Sequence, residues 1–428
     1  MNNTIETLYT AYLRSRSVTT DSRRIAPGCL FFALKGERFD GNAFARQALE
    51  QGAALCVVSD ETLRGVEGCL VVDDVLATLQ DLARHHRQQL HIPVVGITGT
   101  NGKTTTKELV NAVLSRRYRT HATAGNYNNH LGVPLTLLAM PANTEIAIIE
   151  MGANHPGEID FLCSIAQPTC GLITSVGKAH LEGFGSLEGV VRTKTELYRH
   201  LAPKPGATLF YLEDDSILHQ QATSLSPKPT LVSYGQHETA MVKGACTGSN
   251  PYMNFYFEDN DNVYTVKSQL IGQYNFANAM AAVAVGRTFG VELFDIKEAL
   301  EQYTPTNNRS QYLATKSNRL ILDCYNANPT SIRLALDNFL AMEAPRKLAI
   351  VGSMKELGTE SATEHAALQQ RLRDSGVEHL LVGDEFEGPH FATVELCIDH
   401  LKAHPVEDTL VLIKGSNSNR LWLLQELL

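Results

Sequence analysis

The sequence predicts an α/β protein of three domains built on parallel sheets. Its 428 residues are too many for one ordinary hydrophobic core, so two or three domains are expected. Residues 92–110 pass from an apolar, β-branched run through a glycine-containing loop into helix-favouring residues. After residue 304, strand-like runs alternate with helical segments, the order typical of a parallel sheet. We place the domains at residues 1–85, 86–303 and 304–428.

The strand-to-helix junction has the composition of a phosphate-binding loop. Glycines let backbone N–H groups surround phosphate oxygens, and the N-terminus of the following helix adds partial positive charge. Lys103 can reach the terminal phosphates, and the Thr104 hydroxyl can bind Mg²⁺. Ile97 stands where the usual consensus has its first glycine, so the loop is a short variant in which Gly99 supplies the turn. An accidental surface turn is the alternative. The predicted nucleotide-binding residues here are Gly99, Thr100, Asn101, Gly102, Lys103, Thr104 and Thr105.

Composition and charge indicate a globular protein whose main partner is not nucleic acid. Hydrophobic residues make up 43% of the chain and charged residues 19%. The net charge of −9, without clustered Lys and Arg, argues against a nucleic-acid backbone as partner. No apolar run approaches the ~18–20 residues of a membrane span, and the N-terminal segment lacks a signal-peptide core, so we expect a cytoplasmic protein. The eight cysteines are scattered without a CxxC pair, which favours reduced core thiols.

The first domain alternates strands, a helix and charged loops. Strands are predicted at residues 29–34 and 54–58, with a helix at residues 42–51 between them. The polar segments TDSR (20–23) and LKGERFDG (34–41) connect these elements. From their composition alone, these segments are solvated turns between strands.

Charged side chains follow further strands of the second domain. Glu150 ends an apolar strand, and the carboxyl ends of parallel strands are where open α/β sheets bind ligands. It could therefore hold Mg²⁺ opposite Thr104, and an ion-paired strand end is the alternative. His180 lies in a glycine-rich loop after the next strand, and Lys194 lies in the following helix. By themselves, these two residues would be surface groups.

Asparagines supply uncharged hydrogen-bond donors and acceptors in the second domain. A cluster between two strands suits recognition of sugar or peptide groups, although turn chemistry would use the same residues. Its members are Asn126, Asn128 and Asn129. Residues 230–270 predict short antiparallel hairpins at the edge of this domain, and Asn275 and Asn278 then begin an alanine-rich helix.

The third domain repeats the pattern of polar residues after a buried strand. Asp323 ends such a strand, beside Tyr325, Asn326 and Asn328. We expect these side chains at the carboxyl edge of a parallel sheet, facing a ligand.

Several longer motifs give the chain a resemblance to the Mur ligases, which extend the stem peptide of peptidoglycan. TGTNGKT is shared with folylpolyglutamate synthases, whereas GNYNNHLGVPLTLL, EMGANHPGEI, AHLEGFGSL and DCYNANP are more selective. The resemblance covers nearly the whole chain and implies the three-domain Mur ligase architecture. In that architecture a central P-loop domain with a parallel sheet is flanked by an N-terminal UDP-binding α/β domain and a C-terminal Rossmann-like domain.

The resemblance is to the ligases that join D-alanyl-D-alanine to UDP-N-acetylmuramoyl-tripeptide. It implies that reaction, driven by ATP through an acyl phosphate and assisted by two Mg²⁺ ions, in a monomer. One alternative is another family member, either the diamino-acid ligase, whose DNPR signature is missing here, or folylpolyglutamate synthase. A nucleotide-dependent switch or binding protein without ligase activity is another alternative, although the guanine signature NKxD is missing.

The resemblance also implies which residues act on the metal ions and the phosphates. Thr104 and Glu150 would bind one Mg²⁺, and His180 would bind the second. Lys194 matches a lysine that the family carbamylates with CO₂, which gives an anion that supports the second ion. Lys103, Lys194 and His180 would thus be the catalytic residues.

Binding roles follow from the same resemblance. The predicted nucleotide contacts outside the phosphate loop are Asn275, Asn278, Arg309 and Asp323. The predicted peptide contacts are Asn126, Asn128, Asn129, Asn326 and Asn328. The predicted contacts to the UDP-sugar end are Asp21, Ser22, Arg23, Lys35, Gly36, Arg38 and Asp40.

Three segments depart from the family pattern. The family's KGSR reads KGSN, so Asn417 replaces an arginine, and the sequence leaves open whether Arg420 compensates. The family's GDMxELG reads GSMKELG, with Ser353 in place of the acid, and the segment around Lys194 reads TKTELY instead of the usual KGE. None of these lies in the phosphate loop, so we expect ligase chemistry with altered substrate contacts in the third domain.

Overall fold

The computed structural model describes residues 2–15, 17–260, 262–306 and 308–428. Three main sheets of four, nine and five strands follow one another along the chain. The predicted α/β class is confirmed. Within the described ranges, no helix combines the length and the apolarity that are needed to cross a membrane.

The first sheet lies near the N-terminus and is wholly parallel. Its region contains α1 (Asn2–Ser15), β1 (Val18–Thr19), β2 (Leu30–Phe32), β3 (Lys35–Gly36), β4 (Phe39–Asp40), α2 (Ala45–Glu50), β5 (Leu55–Val58), β6 (Cys69–Val71) and α3 (Val75–Gln88). The strand order is β1-β2-β5-β6, and β3 and β4 form a separate hairpin. The predicted helix at 42–51 is divided into a 3₁₀ turn (Gly41–Phe44) and α2, because the Asp40 side chain accepts from the backbone N–H of Asn42 and caps the turn.

Helices α1 and α3 connect the first sheet to the second. Leu8 of α1 and Leu79 of α3 belong to the same buried cluster as Val133 and Ile149 of the second domain. Helix α3 also extends across the predicted boundary between residues 85 and 86. The positions of the domain boundaries stay a prediction.

The second sheet forms the centre of the molecule. Its strands are β7 (Val94–Thr98), β8 (Thr120–Ala122), β9 (Ile146–Glu150), β10 (Cys170–Ile173), β11 (Thr208–Leu212), β12 (Thr230–Gly235), β13 (Val242–Ser249), β14 (Tyr252–Asp259) and β15 (Asn262–Ile271). Its helices are α4 (Lys103–Leu114), α5 (Gly132–Leu138), α6 (Glu158–Ala166), α7 (Leu181–Phe184), α8 (Leu187–Lys194), α9 (Glu196–Leu201), α10 (Ser216–Thr223), α11 (Phe276–Thr288) and α12 (Leu293–Gln302). The strand order is β15-β14-β13-β12-β11-β10-β7-β9-β8.

The hairpin prediction for residues 230–270 is correct for only part of that segment. Strands β13, β14 and β15 are antiparallel neighbours, as predicted. Strand β12 instead pairs in parallel with β11 and β13. The prediction is therefore wrong for β12. Helix α10 carries the chain back across the sheet between β11 and β12, and such a crossover makes these two strands parallel.

The order of the central strands determines where the site forms. Strand β7 lies between β9 and β10, and all three are parallel and fully buried. Their carboxyl ends therefore meet at one edge of the sheet. The loop from β7 to α4 lies at this edge between Glu150, at the end of β9, and the segment that follows β10.

The third sheet presents its carboxyl edge in the same way. Its elements are β16 (Gln311–Ala314), β17 (Arg319–Asp323), α13 (Pro329–Ala341), β18 (Lys347–Gly352), α14 (Ser361–Ser375), β19 (Glu378–Val382), α15 (Val394–Ala403) and β20 (Leu410–Lys414). The order is β16-β17-β20-β18-β19, and only the β16–β17 pair is antiparallel. Asp323 and Lys414 are register partners at the ends of β17 and β20.

Candidate active site

A cavity of about 570 Å³ lies between the central domain and the third domain. Residues from the phosphate loop, from the end of β9 and from the end of β17 all line it. The predicted site residues that line the cavity are Thr100, Asn101, Gly102, Lys103, Thr104, Thr105, Asn126, Asn128, Asn129, Glu150, His180, Asn275, Asn278, Arg309, Asp323 and Asn326. Residues that are far apart in sequence thus converge on one space.

Lys103 lies on the first turn of α4 and is held by its own loop. Its Nζ donates to the carbonyl oxygen of Gly99 at 2.7 Å and to that of Thr100 at 3.0 Å. Burial lowers the pKa of Lys103 to about 8, and the charge of Arg309 acts in the same direction while Glu150 opposes both. An anionic ligand in the cavity would favour the charged form of this lysine.

Glu150 is buried and its two carboxylate oxygens have different partners. The Thr104 hydroxyl donates to Oε2 at 2.9 Å, and Asn128 Nδ2 donates to Oε1 at 2.8 Å. A hydroxyl and a carboxylate are the hard oxygen ligands that Mg²⁺ prefers, so the pair fits this ion. Across the described residues, no group of three or more His, Cys, Asp or Glu side chains is arranged to hold a metal ion. Phosphate oxygens and water would have to supply the remaining ligands.

Lys194 lies just beneath the cavity wall and is not itself a lining residue. Its side chain is only 2% exposed, and its Nζ donates to the carbonyl oxygen of Ala153 at 3.1 Å. The ring centroid of Phe184 is 5.2 Å from the same nitrogen. Burial holds the pKa of Lys194 well below its ordinary value, and the charge of Lys103 acts in the same direction. The neutral amine form of Lys194 is therefore more populated than is usual for a lysine.

His180 connects the central domain to the third domain. Its Nδ1 pairs with the carboxylate of Glu356, which belongs to the third domain. Burial lowers the pKa of the imidazole, although the Glu356 carboxylate acts in the opposite direction. The Nδ1 atom therefore lies against a carboxylate of the third domain.

The third domain contributes further groups to the cavity. The guanidinium of Arg309 lies 3.7 Å from the ring centroid of Tyr325. Lys414 Nζ is 3.2 Å from Asp323 Oδ2 and also donates to the carbonyl oxygen of Asn326. These contacts place two positive charges and one carboxylate at the carboxyl edge of the third sheet.

A pair of asparagines joins the phosphate loop to the third domain. Asn328 Nδ2 donates to Asn101 Oδ1 at 2.8 Å, and Asn101 Nδ2 lies 3.4 Å from Asn328 Oδ1. The same Asn328 oxygen accepts from the backbone N–H of Ser331 and caps α13. Asn328 thus contacts the loop without lining the cavity.

Asn275 and Asn278 form a chain of hydrogen bonds with α4, the helix that begins at the phosphate loop. Asn278 Oδ1 accepts from the Thr106 hydroxyl at 3.0 Å, and its Nδ2 donates to Asn275 Oδ1 at 2.8 Å. Asn275 Nδ2 in turn donates to the carbonyl oxygen of Ile271 at 2.8 Å. Both residues line the cavity, but these amide groups are used to hold α11 against α4.

The predicted UDP-sugar residues of the first domain lie apart from this cavity. Arg23 forms an ion pair with Asp21 at 2.8 Å, and Lys35 lies 3.6 Å from Asp40. Among the residues that the structure describes, the lining of the cavity does not include Asp21, Ser22, Arg23, Lys35, Gly36, Arg38 or Asp40. Their role in substrate binding stays a prediction.

Sequence reasoning missed several lining residues. Tyr274 lies 2.9 Å, oxygen to oxygen, from the Ser310 hydroxyl, and no local pattern marks either residue. Lys414 could have been found, because a charged residue that ends an apolar strand is the signal that identified Glu150 and Asp323.

The positions that depart from the family pattern lie outside the cavity lining. Asn417 is exposed, and the buried Ser353 hydroxyl accepts from Asn419 Nδ2 at 3.2 Å. Arg420 pairs with Glu395. Both side chains of this ion pair are exposed at the surface.

Family models match all three parts of the chain. The model described as Mur ligase family, catalytic domain, matches residues 14–94. The Mur ligase middle domain matches residues 97–286, and the Mur ligase, glutamate ligase domain matches residues 308–417. These matches leave only short segments between them.

Curated relatives and solved structures agree with the family models. The UDP-N-acetylmuramoyl-tripeptide--D-alanyl-D-alanine ligase of Bacillus subtilis is 39% identical over 81% of this chain and 75% of its own length. The Escherichia coli ligase of the same name is 36% identical over 94% of this chain and 91% of its own length. The crystal structure of MurF ligase from Thermotoga maritima in complex with ADP superimposes with a TM-score of 0.83, at 30% identity, and covers 97% of both chains.

Proposed function

The chain belongs to the Mur ligase family, and on that basis we propose that it ligates D-alanyl-D-alanine to UDP-N-acetylmuramoyl-tripeptide at the expense of ATP. The product would be the UDP-linked pentapeptide precursor of peptidoglycan. One observation supports this proposal most strongly: the phosphate loop of the central domain and the carboxyl edge of the third sheet line the same cavity. The names of the two curated relatives favour this ligase over one that adds a diamino acid.

The first step would transfer the γ-phosphoryl group of ATP to the peptide. A carboxylate oxygen of the tripeptide attacks the γ-phosphorus, the bond to the β-bridging oxygen breaks, and ADP and an acyl phosphate result. Lys103 and Arg309 would neutralise the charge that spreads over the transferring group. Thr104 and Glu150 would hold a Mg²⁺ ion, which when bound supplies additional charge stabilisation on the phosphate oxygens.

The second step would form the peptide bond. The neutral amine of D-alanyl-D-alanine attacks the acyl carbon, inorganic phosphate leaves, and the nitrogen releases a proton. Asn326 lines the cavity on its third-domain side, where it would orient this amine and its peptide group. Asn328, whose amide contacts Asn101 of the phosphate loop, would join it after releasing that contact. Water has to be excluded because an acyl phosphate hydrolyses readily, and the space between the two domains provides the enclosure.

We assign Lys194 a covalent role in this chemistry. Its neutral amine would attack CO₂ to give the carbamate R–NH–COO⁻ with release of one proton. Burial supports this reaction, because only the uncharged amine is nucleophilic and Lys194 has a strongly lowered pKa. The carbamate would add an oxygen ligand near His180 for a second Mg²⁺ ion. His180 could join that site after Glu356 releases it.

The remaining assignments concern the first domain and the setting of the enzyme. We assign the UDP-sugar end of the substrate to the charged segments 20–23 and 34–41. We keep the domain division at residues 1–85, 86–303 and 304–428. A monomer in the cytoplasm, where ATP and UDP-linked precursors are available, fits this function.

A phosphate-release assay tests the proposal. The complete mixture contains ATP, Mg²⁺, UDP-N-acetylmuramoyl-tripeptide and D-alanyl-D-alanine, and each component is omitted in turn. We expect sustained phosphate release only in the complete mixture, together with a product whose mass equals that of the pentapeptide precursor. Nucleotide hydrolysis that is independent of both peptides would contradict the proposal, as would equal turnover when a single amino acid replaces the dipeptide.

A further inference from the structure

Lys107 is a buried lysine that the proposed chemistry does not use. It lies one helical turn after Lys103 on α4, and its side chain is 1% exposed. Its Nζ donates to the carbonyl oxygen of Thr123 at 2.6 Å and lies 2.6 Å from the carboxylate of Glu108. A buried ammonium is costly without such partners, so these contacts fix the position of Thr123 relative to α4.

Thr123 continues the pairing of β8 with β9 to the end of β9. Its backbone N–H donates to the carbonyl oxygen of Ile148 at 3.0 Å. Its hydroxyl oxygen accepts from the backbone N–H of Glu150 at 3.0 Å. Lys107 is therefore connected to the backbone of Glu150 through a single residue, and all three side chains are buried.

The chain that follows Thr123 also holds the Glu150 side chain. Asn128 Nδ2 donates to Glu150 Oε1 at 2.8 Å, and the Asn128 carbonyl oxygen accepts from the backbone N–H of Gly152 at 2.7 Å. The segment 123–128 thus forms hydrogen bonds with the backbone N–H of Glu150, with its carboxylate and with the backbone N–H of Gly152. Lys107 holds the beginning of this segment.

We propose that Lys107 is a positioning residue for the Glu150 carboxylate. Lys107 fixes Thr123, and Thr123 and the segment after it hold the carboxylate in the orientation that binds the divalent cation. This inference rests on the proposed role of Glu150 in metal binding. A purely structural Lys107 would affect the stability of the protein without changing its affinity for the metal ion.

The test measures metal affinity directly, with Mn²⁺ as the probe in place of Mg²⁺. Mn²⁺ is titrated into the full-length protein with ADP present, and free Mn²⁺ is followed by electron paramagnetic resonance. The informative variants are Lys107→Met, which keeps the length of the side chain, and Thr123→Val, which removes the hydroxyl acceptor. Lys204→Met is the matched control, because Lys204 Nζ also donates to a backbone carbonyl, that of Pro168 at 3.2 Å, in the same domain but outside the cavity.

We expect Lys107→Met and Thr123→Val each to weaken Mn²⁺ binding about tenfold, the usual effect of removing a residue that orients a metal ligand. The affinity for ADP in EDTA should be unchanged in both variants, and Lys204→Met should bind Mn²⁺ like the parent protein. Unchanged Mn²⁺ affinity in folded Lys107→Met would overturn the proposal. If Lys107→Met does not fold, unchanged affinity in Thr123→Val overturns it, and a tenfold loss there supports it.

Glu150→Gln separates this inference from the proposed function. If Glu150→Gln binds Mn²⁺ as tightly as the parent protein does, the assigned role of Glu150 is wrong and the positioning role of Lys107 fails with it. If Glu150→Gln weakens binding while Lys107→Met and Thr123→Val do not, only the positioning role is wrong.

Discussion

Replacing Gly102 by alanine should weaken nucleotide binding and destabilise the central domain. Gly102 is the N-cap residue of α4 and has a φ of 82°, a left-handed conformation that costs other residues about 1–2 kcal/mol. An added Cβ would also lie 2.5 Å from Asn278 Oδ1. Asn278 is not free to move, because its amide accepts from Thr106 and donates to Asn275.

The structure gives the size of the effect and a matched control. Displacing Asn278 breaks two buried hydrogen bonds, each worth about 0.5–1.5 kcal/mol. With the backbone cost, Gly102→Ala should lower the free energy of unfolding by about 2–5 kcal/mol. Gly157 is the N-cap residue of α6 with a φ of 85°, and nothing lies within 4 Å of a Cβ added there. Gly157→Ala should therefore cost only the backbone contribution, about 1–2 kcal/mol.

Urea unfolding and calorimetric titration with ADP measure the two effects. We expect the urea midpoints to rank parent, then Gly157→Ala, then Gly102→Ala. ADP should bind to Gly102→Ala at least about tenfold more weakly, because the loop must shift to relieve the clash, and about 1.4 kcal/mol corresponds to a tenfold change in affinity. Equal midpoints for the two variants, together with parent-like ADP affinity in Gly102→Ala, would show that Asn278 does not resist the added Cβ.

Three further predictions follow from the geometry of the cavity. Burial holds the pKa of Lys103 at about 8, so its ammonium is lost as pH rises through that value. The affinity for ADP, measured by calorimetry, should therefore fall between about pH 7 and pH 9.5. The Lys103→Met variant should bind ADP weakly and without this pH dependence. Lys194→Ala should abolish ligation with an unchanged circular dichroism spectrum, and a ¹³C carbamate resonance from labelled bicarbonate should appear only in the parent protein. Asn328→Ala removes both contacts to Asn101 and should increase the radius of gyration in small-angle scattering, and an identical scattering profile would show that this pair does not hold the two domains together.

The sequence predicted well those features that depend only on residues close to one another in the chain. The loop around Lys103 follows directly from the residues between a buried strand and a helix. Glu150 and Asp323 were found because each ends an apolar run, and parallel strands bring such ends to one edge. In these cases a short stretch of chain determines both the conformation and the exposure of the residue.

Other features depend on contacts between distant parts of the chain. The burial of Lys194 arises from α8 packing on the central domain, and nothing in the helix sequence distinguishes it from a surface lysine. The parallel pairing of β12 with β11 depends on the crossover through α10, which lies outside the residues of the strand itself. The pairing of His180 with Glu356 depends on how the third domain meets the central one. The roles assigned to Lys194 and His180 rest on the resemblance to known ligases and stay predictions.

Transfer of ¹⁸O from the peptide substrate tests whether a nucleoside triphosphate on the phosphate loop activates the peptide carboxylate. The tripeptide substrate is labelled with ¹⁸O in its terminal carboxylate and converted with ATP and D-alanyl-D-alanine. Attack of that carboxylate on the γ-phosphorus, followed by attack of the amine on the acyl carbon, carries one ¹⁸O atom into inorganic phosphate. We expect ³¹P resonances of singly labelled phosphate to appear in step with peptide formation. Peptide formation that leaves the released phosphate unlabelled would contradict this expectation.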